Sequence, residues 1–347
     1  MPTLATMAKR DAPQFLVGGG VLTIDDERAQ AAAVTAGKID FRAVTHGRYL
    51  GTPLAEDLLP GLSSAGRWNA VGEQDWGVPD HRNEGIEVVL VERGRATFGV
   101  EGRIHDLRAG DVTVTAPWQR HRLGGPHLGP GLLHWMILDV GVRRGGQRWR
   151  WPPWICLAKQ DLVDLEMGIK DLGRPVRLGS DELRAAIRRL GALVEDPTTR
   201  GWASDAAIAI NGVFAALLRS LREPPPVRAT GAEDRVANFL RWLAEDPVRC
   251  TAAWPVTRMA KECGLGSTAF TTQCVRLTNQ PPRQYVLGLR LAEAARRLRD
   301  EPHVPVTRIA LGVGFSSSQY FARQFRHRYR CTALAWRRGG TLIAVAP

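Results

Sequence analysis

The sequence contains no run approaching the ~18 consecutive apolar residues of a membrane-spanning helix, so no transmembrane segment is expected. Its start, Met1 to Gly20, lacks a basic cluster followed by an apolar stretch, so no signal peptide is expected either. Cysteine is scarce. Cys156, Cys250, Cys263, Cys274 and Cys331 are odd in number and include no CxxC pair. Neither a disulfide framework nor a zinc ribbon fits that pattern, and a reducing cytoplasm does. Apolar residues are not scarce: 44% of the chain is hydrophobic, too much for a disordered protein.

Acidic residues run short in one part only. From Arg228 to Pro347 there are 19 basic and 8 acidic residues, a net of +11. Residues 1–227 carry 28 and 27, a net of +1. The length of 347 residues suggests two or three domains. A near-neutral region is therefore joined to a strongly basic one. Such asymmetry points to a polyanion, either nucleic acid or an anionic membrane.

Residues 1–40 form a poorly defined lead-in, with Gly18-Gly19-Gly20 and one short helix expected over Asp25–Val34. Residues 41–178 have a strand texture. Glu87–Glu92, Arg95–Val100, Arg103–Leu107, Asp111–Thr115 and Leu132–Val140 read as strands. Turns are expected at Arg93-Gly94, Glu101-Gly102 and Ala109-Gly110-Asp111. Short strands so closely spaced argue for a β-sandwich or barrel. Seven of the eleven tryptophans fall between Trp68 and Trp154, where packing is their first role.

Over residues 179–222 the period becomes helical. Ser180 is an N-cap ahead of Leu183, Ile187, Leu190 and Val194, and Asp196-Pro197 ends that helix. A second helix starts at Trp202, making an αα-hairpin. Residues 223–231 (EPPPVRATG) read as a linker. Residues 232–340 look wholly helical. Helices are expected over Ala232–Glu245, Val256–Cys263, Ser267–Leu277, Pro282–Asp300, Val306–Val313 and Ser317–Tyr329, with a short one near Ala333–Arg338.

An internal repeat organises the basic region. Pro255–Leu265 reads PVTRMAKECGL and Pro305–Phe315 reads PVTRIALGVGF, with six of eleven positions identical. In each copy a short helix leads to a glycine, Gly264 or Gly314, where the chain must turn sharply. Ser267 or Ser317 then caps a second helix. That helix buries Phe270, Cys274 and Leu277, or Phe321, Phe325 and Tyr329. Two helices, a tight turn and a free outer face make a helix–turn–helix. The outer face offers Thr268, Thr271, Thr272 and Arg276 in the first copy. In the second it offers Ser318, Gln319, Arg323, Arg326 and Arg330. Hydroxyls, amides and guanidinium groups are what contact base edges and phosphates.

GVGFSSSQYFARQFRHRYR (Gly312–Arg330) closely resembles the second helix–turn–helix of AraC/XylS-type bacterial transcription regulators. The resemblance spans about Asp234 to Arg338. It implies two helix–turn–helix units joined by a long helix, Pro282–Asp300, with recognition helices in successive major-groove segments of double-stranded DNA. It places Thr268, Thr271 and Thr272 at reading positions of the first unit, and Gln319 and Arg323 at those of the second. The family has Gly and then Pro after each recognition helix. Here Asn279 replaces the first Gly, a mild change because Asn tolerates positive φ, while Arg330 and Ala333 replace the second pair. The resemblance further implies a small-molecule effector, RNA polymerase as a partner, a homodimer held by the hairpin, activation as the commoner mode, and no enzyme activity.

His81-Arg82-Asn83, Glu87 and Gly94 resemble the first cupin motif, and Gly110-Asp111, Pro117 and His121 the second. This implies a cupin-like ligand-sensing barrel, with His81, Glu87, Trp118 and His121 as polar and stacking contacts and Trp76 and Trp135 as walls. Arg82, Arg95, Arg120 and Arg122 would suit an acidic or polyhydroxyl ligand. Two imidazoles and a carboxylate could hold Fe, Mn or Zn, but Asn83 stands where a metal-binding cupin has histidine. No metal or cofactor is therefore assigned. The alternative kept open is a metal-dependent cupin enzyme with a DNA-binding appendage. The expected fold class is multidomain: an N-terminal all-β cupin-like barrel, a helical hairpin, and a C-terminal all-α domain with two helix–turn–helix motifs.

Overall fold

In a computed structural model, described over residues 13–17, 20–23, 28–125, 127–171, 175–223 and 231–339, the chain divides into two units, Met1–Arg228 and Ala229–Pro347. The expected linker and Gly18-Gly19 fall largely or wholly outside the described residues.

The first unit opens with β1 (Gln14–Val17), β2 (Gly20–Thr23) and α1 (Arg28–Thr35). The strands that follow are β3 (Asp40–Thr45), β4 (Thr52–Pro53), β5 (Leu62–Ala70), β6 (Val78–His81), β7 (Gly85–Val100), β8 (Arg103–Arg108), β9 (Asp111–Thr115), β10 (His121–Leu123) and β11 (Gly131–Asp139). Then come α2 (Lys159–Lys170), β12 (Val176–Leu178), α3 (Asp181–Leu193) and α4 (Trp202–Arg222). The large sheet runs β12-β9-β7-β11-β5-β3-β4, with β8 and β10 also on β7 and β6 on β10.

The turn expected at Arg93-Gly94 does not form. Glu87–Glu92 and Arg95–Val100 are two halves of one 16-residue strand, β7. Its first half pairs with β9 and β11, its second with β8 and β10. The register on β11 shifts between Leu132 and Leu133, opposite this junction. Gly94 sits there at φ +83, and a Cβ would lie 2.1 Å from the Pro130 carbonyl oxygen. Only glycine permits both the conformation and the approach, so the strand bends at a bulge where a turn was expected.

The apolar run in β7 is buried on both faces. Val89 and Val91 belong to a cluster with Trp68, Phe98 and Leu133. Val88 and Leu90 belong to another with Met136, Leu183, Ile187, Leu190 and Phe214. The hairpin of α3 and α4 therefore closes one side of the sheet, and Ser180 caps α3 by accepting from the Leu183 N–H. Helix α4 has the length and hydropathy of a membrane span, but Ile210, Val213, Phe214 and Leu217 are fully buried within the unit. Helix α2 was not read in the sequence: of its apolar residues Leu162, Val163, Leu165, Met167 and Ile169, only Leu165 and Ile169 are buried.

The second unit contains α5 (Ala232–Glu245), α6 (Pro247–Thr251), α7 (Val256–Glu262), α8 (Ser267–Thr278), α9 (Pro282–Asp300), α10 (Val306–Gly312), α11 (Ser318–Tyr329) and α12 (Ala333–Arg337). All the expected helices form; α6 is additional, started by Asp246, which caps Val248. The unit has two apolar cores. One gathers Phe239, Trp254, Met259, Phe270, Cys274 and Val286. The other gathers Leu291, Leu298, Ile309, Phe321, Phe325 and Ala333. Helix α9 supplies both, its first half to one and its second half to the other.

Candidate functional site

A cavity of about 70 Å³ lies inside the first unit, lined by His81, Asn83, Glu87, His121, Trp68 and Trp135, with Tyr49, Phe98 and Arg82 also on its wall. Strand pairing assembles its polar end. His121 on β10 stands directly opposite His81 on β6, and their ring centroids are 4.2 Å apart. Each ring uses Nδ1 on a backbone oxygen, Pro79 for His81 and Gln119 for His121, both at 2.9 Å. Those contacts favour the Nδ1–H tautomer and turn Nε2 towards the cavity. Nε2 of His121 lies 2.5 Å from Glu87 Oε2 but has no aligned hydrogen-bond partner.

Burial raises the Glu87 carboxyl, but the charges of His121 and His81 outweigh it and hold the group below the usual carboxylate range. Burial likewise lowers the His121 imidazole, but Glu87 and the Gln119 carbonyl carry it above the ordinary histidine value. The pair is thus held in its charged form by mutual attraction. His81, Glu87 and His121 each offer one ligand atom, all within 4.8 Å of one another. Asn83, 2% exposed, donates Nδ2 to Glu87 Oε2 at 3.3 Å and leaves its Oδ1 without a partner. His81, Glu87 and His121 fit a divalent transition ion, with two imidazoles and one carboxylate.

Behind the cavity, Tyr49 donates to Glu84 Oε2 at 2.6 Å and Ser63 donates to Oε1. Burial pushes the Glu84 carboxyl up against those two hydrogen bonds.

Trp118 requires correction. It is 6% exposed, donates its indole N–H to the Val142 carbonyl at 2.8 Å and packs on Phe15. Its φ of +66 points the chain so that the ring enters the main core and not the cavity. Trp135 does form a wall, whereas Trp76 only backs Trp68, edge to face. Arg82 reaches the cavity wall; Arg120 instead pairs with Asp80 at 3.4 Å. Tyr49, Trp68 and Phe98 went unread in the sequence, although Trp68 and Phe98 sit at inward positions of their strands. The α1 residues Ala29 and Gln30 also reach this wall, with no motif to announce them.

The second unit offers an outer face on each repeat. On α8, Thr268 and Thr272 are exposed and Thr271 is half-buried. The Thr271 and Thr272 hydroxyls donate back to the Ser267 and Thr268 carbonyls at 2.8 and 3.0 Å. They face outward as acceptors, which limits what they can read. Arg276 requires correction: it is engaged by the buried Glu233 at 2.7 Å, so its charge serves the packing of α8 on α5 within the second unit. On α11, Gln319, Arg323 and Arg326 are exposed and Ser318 is half-buried. Arg323 lies over the Tyr320 ring at 5.5 Å. Ser317 caps α11 as expected; Ser267 does not cap α8, since it is already the first helical residue and Gly266 precedes it. Both departures after the recognition helices take the conformation a glycine would: Asn279 has φ 54 and Arg330 φ 56.

Residues 70–137 match the family profile of a cupin domain, and residues 259–339 that of a helix-turn-helix domain. The chain is similar to the HTH-type transcriptional activator RhaS of Salmonella arizonae, 26% identical over 273 residues, covering 76% of this chain and 89% of the relative. Among solved structures it is similar to unsaturated fatty acid bound ToxT from Vibrio cholerae, at 12% identity and TM-score 0.28, covering 89% of this chain and 96% of that one. It is also similar to an AraC-type transcriptional regulator from Chromobacterium violaceum, at 18% identity and TM-score 0.28, covering 33% and 97%. Those scores are too low to carry an argument. The two domain matches agree with the repeat and its outer faces: the chain joins a cupin-like domain to an AraC-type helix-turn-helix domain, the make-up of a DNA-binding transcription regulator.

Proposed function

We propose that the protein is a cytoplasmic activator whose cupin-like cavity takes a small organic effector and whose two helix–turn–helix units read promoter DNA. The single observation behind the DNA reading is the repeat itself: two outer faces of hydroxyl, amide and guanidinium groups in a region of net charge +11. Gln319 and Arg323 specify bases, Arg326 anchors phosphate, and Thr268, Thr271 and Thr272 contribute shape and acceptor contacts. In the cavity, His81, Glu87 and His121 hold the effector's polar group and Trp68 and Trp135 its apolar body. A void of about 70 Å³ admits only a few waters. An effector therefore acts by favouring a more open arrangement, which requires different affinity for two states. The α3–α4 hairpin serves as the dimer contact, and RNA polymerase is the partner of the DNA-bound form.

Genome-wide binding-site mapping, followed by competition with random DNA at physiological salt, tests this. Recovery of a defined site that outcompetes random duplex is expected; equal competition would remove sequence reading. The cluster of His81, Glu87 and His121 keeps one alternative alive, a metal-dependent enzyme. There His81, Glu87 and His121 would hold the ion, which would polarise a bound substrate oxygen. Stoichiometric Fe or Mn in the purified protein, lost in His121→Ala, would favour it.

A further inference from the structure

The two apolar cores of the second unit do not merge, so something besides packing must fix one helix–turn–helix against the other. Helix α9 runs through both. Near its middle, Arg290 makes three hydrogen bonds to three backbone carbonyls. Nε donates to Cys250 at 2.8 Å and Nη2 to Ala252 at 2.8 Å, both at the end of α6 in the first half. Nη1 donates to Gly314 at 2.7 Å, in the turn of the second helix–turn–helix. No carboxylate is among these partners, and burial holds the guanidinium below its usual value. A fork-shaped cation spending its donors on three carbonyls is a specific geometric device, which an ammonium cannot reproduce.

The repeat glycines show the same contact from the other side. Gly264, in the first turn, has open space where a Cβ would be. Gly314, in the second, would place a Cβ 2.5 Å from the Thr251 carbonyl oxygen and 3.0 Å from Arg290 Nε and Cζ. The first glycine answers only a φ of +62; the second answers a φ of +92 and a neighbouring backbone as well. The turn that launches α11 is thus pressed onto the end of α6, with Arg290 spanning the seam.

We propose that Arg290 is a positioning residue that sets the separation and rotation between the two recognition helices, and so selects DNA whose two read segments stand at one spacing. The proposal rests on the reading that both helix–turn–helix motifs contact DNA. Two helices entering successive major-groove segments must match the DNA repeat in both distance and angle. A clamp at the seam converts that requirement into specificity, although Arg290 itself reads no base.

The test uses the full chain. Duplexes are selected from a random library, and the two segments of the recovered site are then moved by one or two base pairs. The wild type is expected to lose about tenfold or more in affinity when the spacing changes. In Arg290→Lys, which keeps the charge, that preference should shrink to roughly threefold or less, with the salt slope unchanged. Arg290→Gln provides a second variant, and circular dichroism confirms that each is folded. A uniform loss at every spacing, with the preference intact, would overturn the proposal. Nitroxide pairs at Ala269→Cys and Ala322→Cys, in a Cys156→Ser background, report the α8–α11 distance without DNA. The distribution should broaden in Arg290→Lys; an unchanged distribution would overturn the clamp. A broadened distribution with no spacing preference in the wild type would instead overturn the two-unit reading.

Discussion

The two units keep their polar chemistry in opposite places. The first buries it: Asn83, Glu84, His121 and His134 are each at most 6% exposed. The second, among its described residues, buries little beyond Glu233, Asn279 and Gln280 of its polar side chains, and sets Arg323, Arg326 and Arg330 outside. One recognises by enclosing a ligand, where desolvation makes each polar group consequential. The other recognises by projecting side chains into a groove, where charge works through solvent. The first should therefore respond to pH and the second to salt.

The largest effect is expected where the second unit depends on packing alone. Phe325 is fully buried and contacts Phe321, Tyr329 and Trp336. Phe325→Ala should cost about 3–5 kcal/mol by urea unfolding, with little dependence on pH. Its repeat counterpart Cys274, also fully buried, is smaller. Cys274→Ala should cost roughly 1 kcal/mol. Equal costs would mean that the two cores are not the unequal pair the side chains suggest.

His134 tests the other side. It lies on β11 against α3, 6% exposed, with Nδ1 unpartnered. Burial lowers its imidazole to about 4, aided by Arg67, Arg188 and Arg93 and opposed by Glu92. The unfolded chain takes up this proton near pH 6.5 and the folded one only near 4. Stability should therefore fall as pH drops from about 6.5 to 4, by about 3 kcal/mol, and level off below. His134→Leu should remove that increment from the pH profile. A profile unchanged by the substitution would show that the imidazole is not held neutral.

On the projecting side, Arg323→Ala should cost ~1–3 kcal/mol at one or two base pairs of the site. An equal loss on all sequences would make it a phosphate contact. Arg326→Ala should lower the salt slope by about one unit. An unchanged slope would place that side chain off the DNA.

Most of this architecture was legible because local pattern and tertiary role agree. The repeat at Pro255 and Pro305 places both turns and both outer faces without any long-range information. The pairing of His81 with His121 was legible only as motif spacing. What failed did so for non-local reasons. Trp118 was read by its nearness to His121, whereas a positive φ and the distant Val142 carbonyl decide where its ring goes. Arg276 was read by helical position, and Glu233, 43 residues away, takes it. Gly94 was read as a turn because a bulge and a turn ask the same thing of a glycine; only the approach of Pro130 separates them.

The smallest effect concerns the two helix ends where glycine was expected. Asn279 and Arg330 both occupy the left-handed region and cap their helices, donating N–H to Val275 and Arg326 respectively. Asn reaches that region at low cost; Arg does so against the Cβ penalty of about 1–2 kcal/mol. Glycine would relieve it but adds freedom to the unfolded chain, which offsets part of the gain. Arg330→Gly should therefore stabilise by about 0.5–1 kcal/mol and raise the thermal midpoint by a few degrees. Asn279→Gly should change it by less. If Arg330 is retained because its charge faces the phosphates, the stabilised variant should bind DNA more weakly and with a shallower salt slope. A variant both more stable and equally tight would show that the strained cap does nothing for DNA, and would move Arg330 from the projecting face to the merely tolerated.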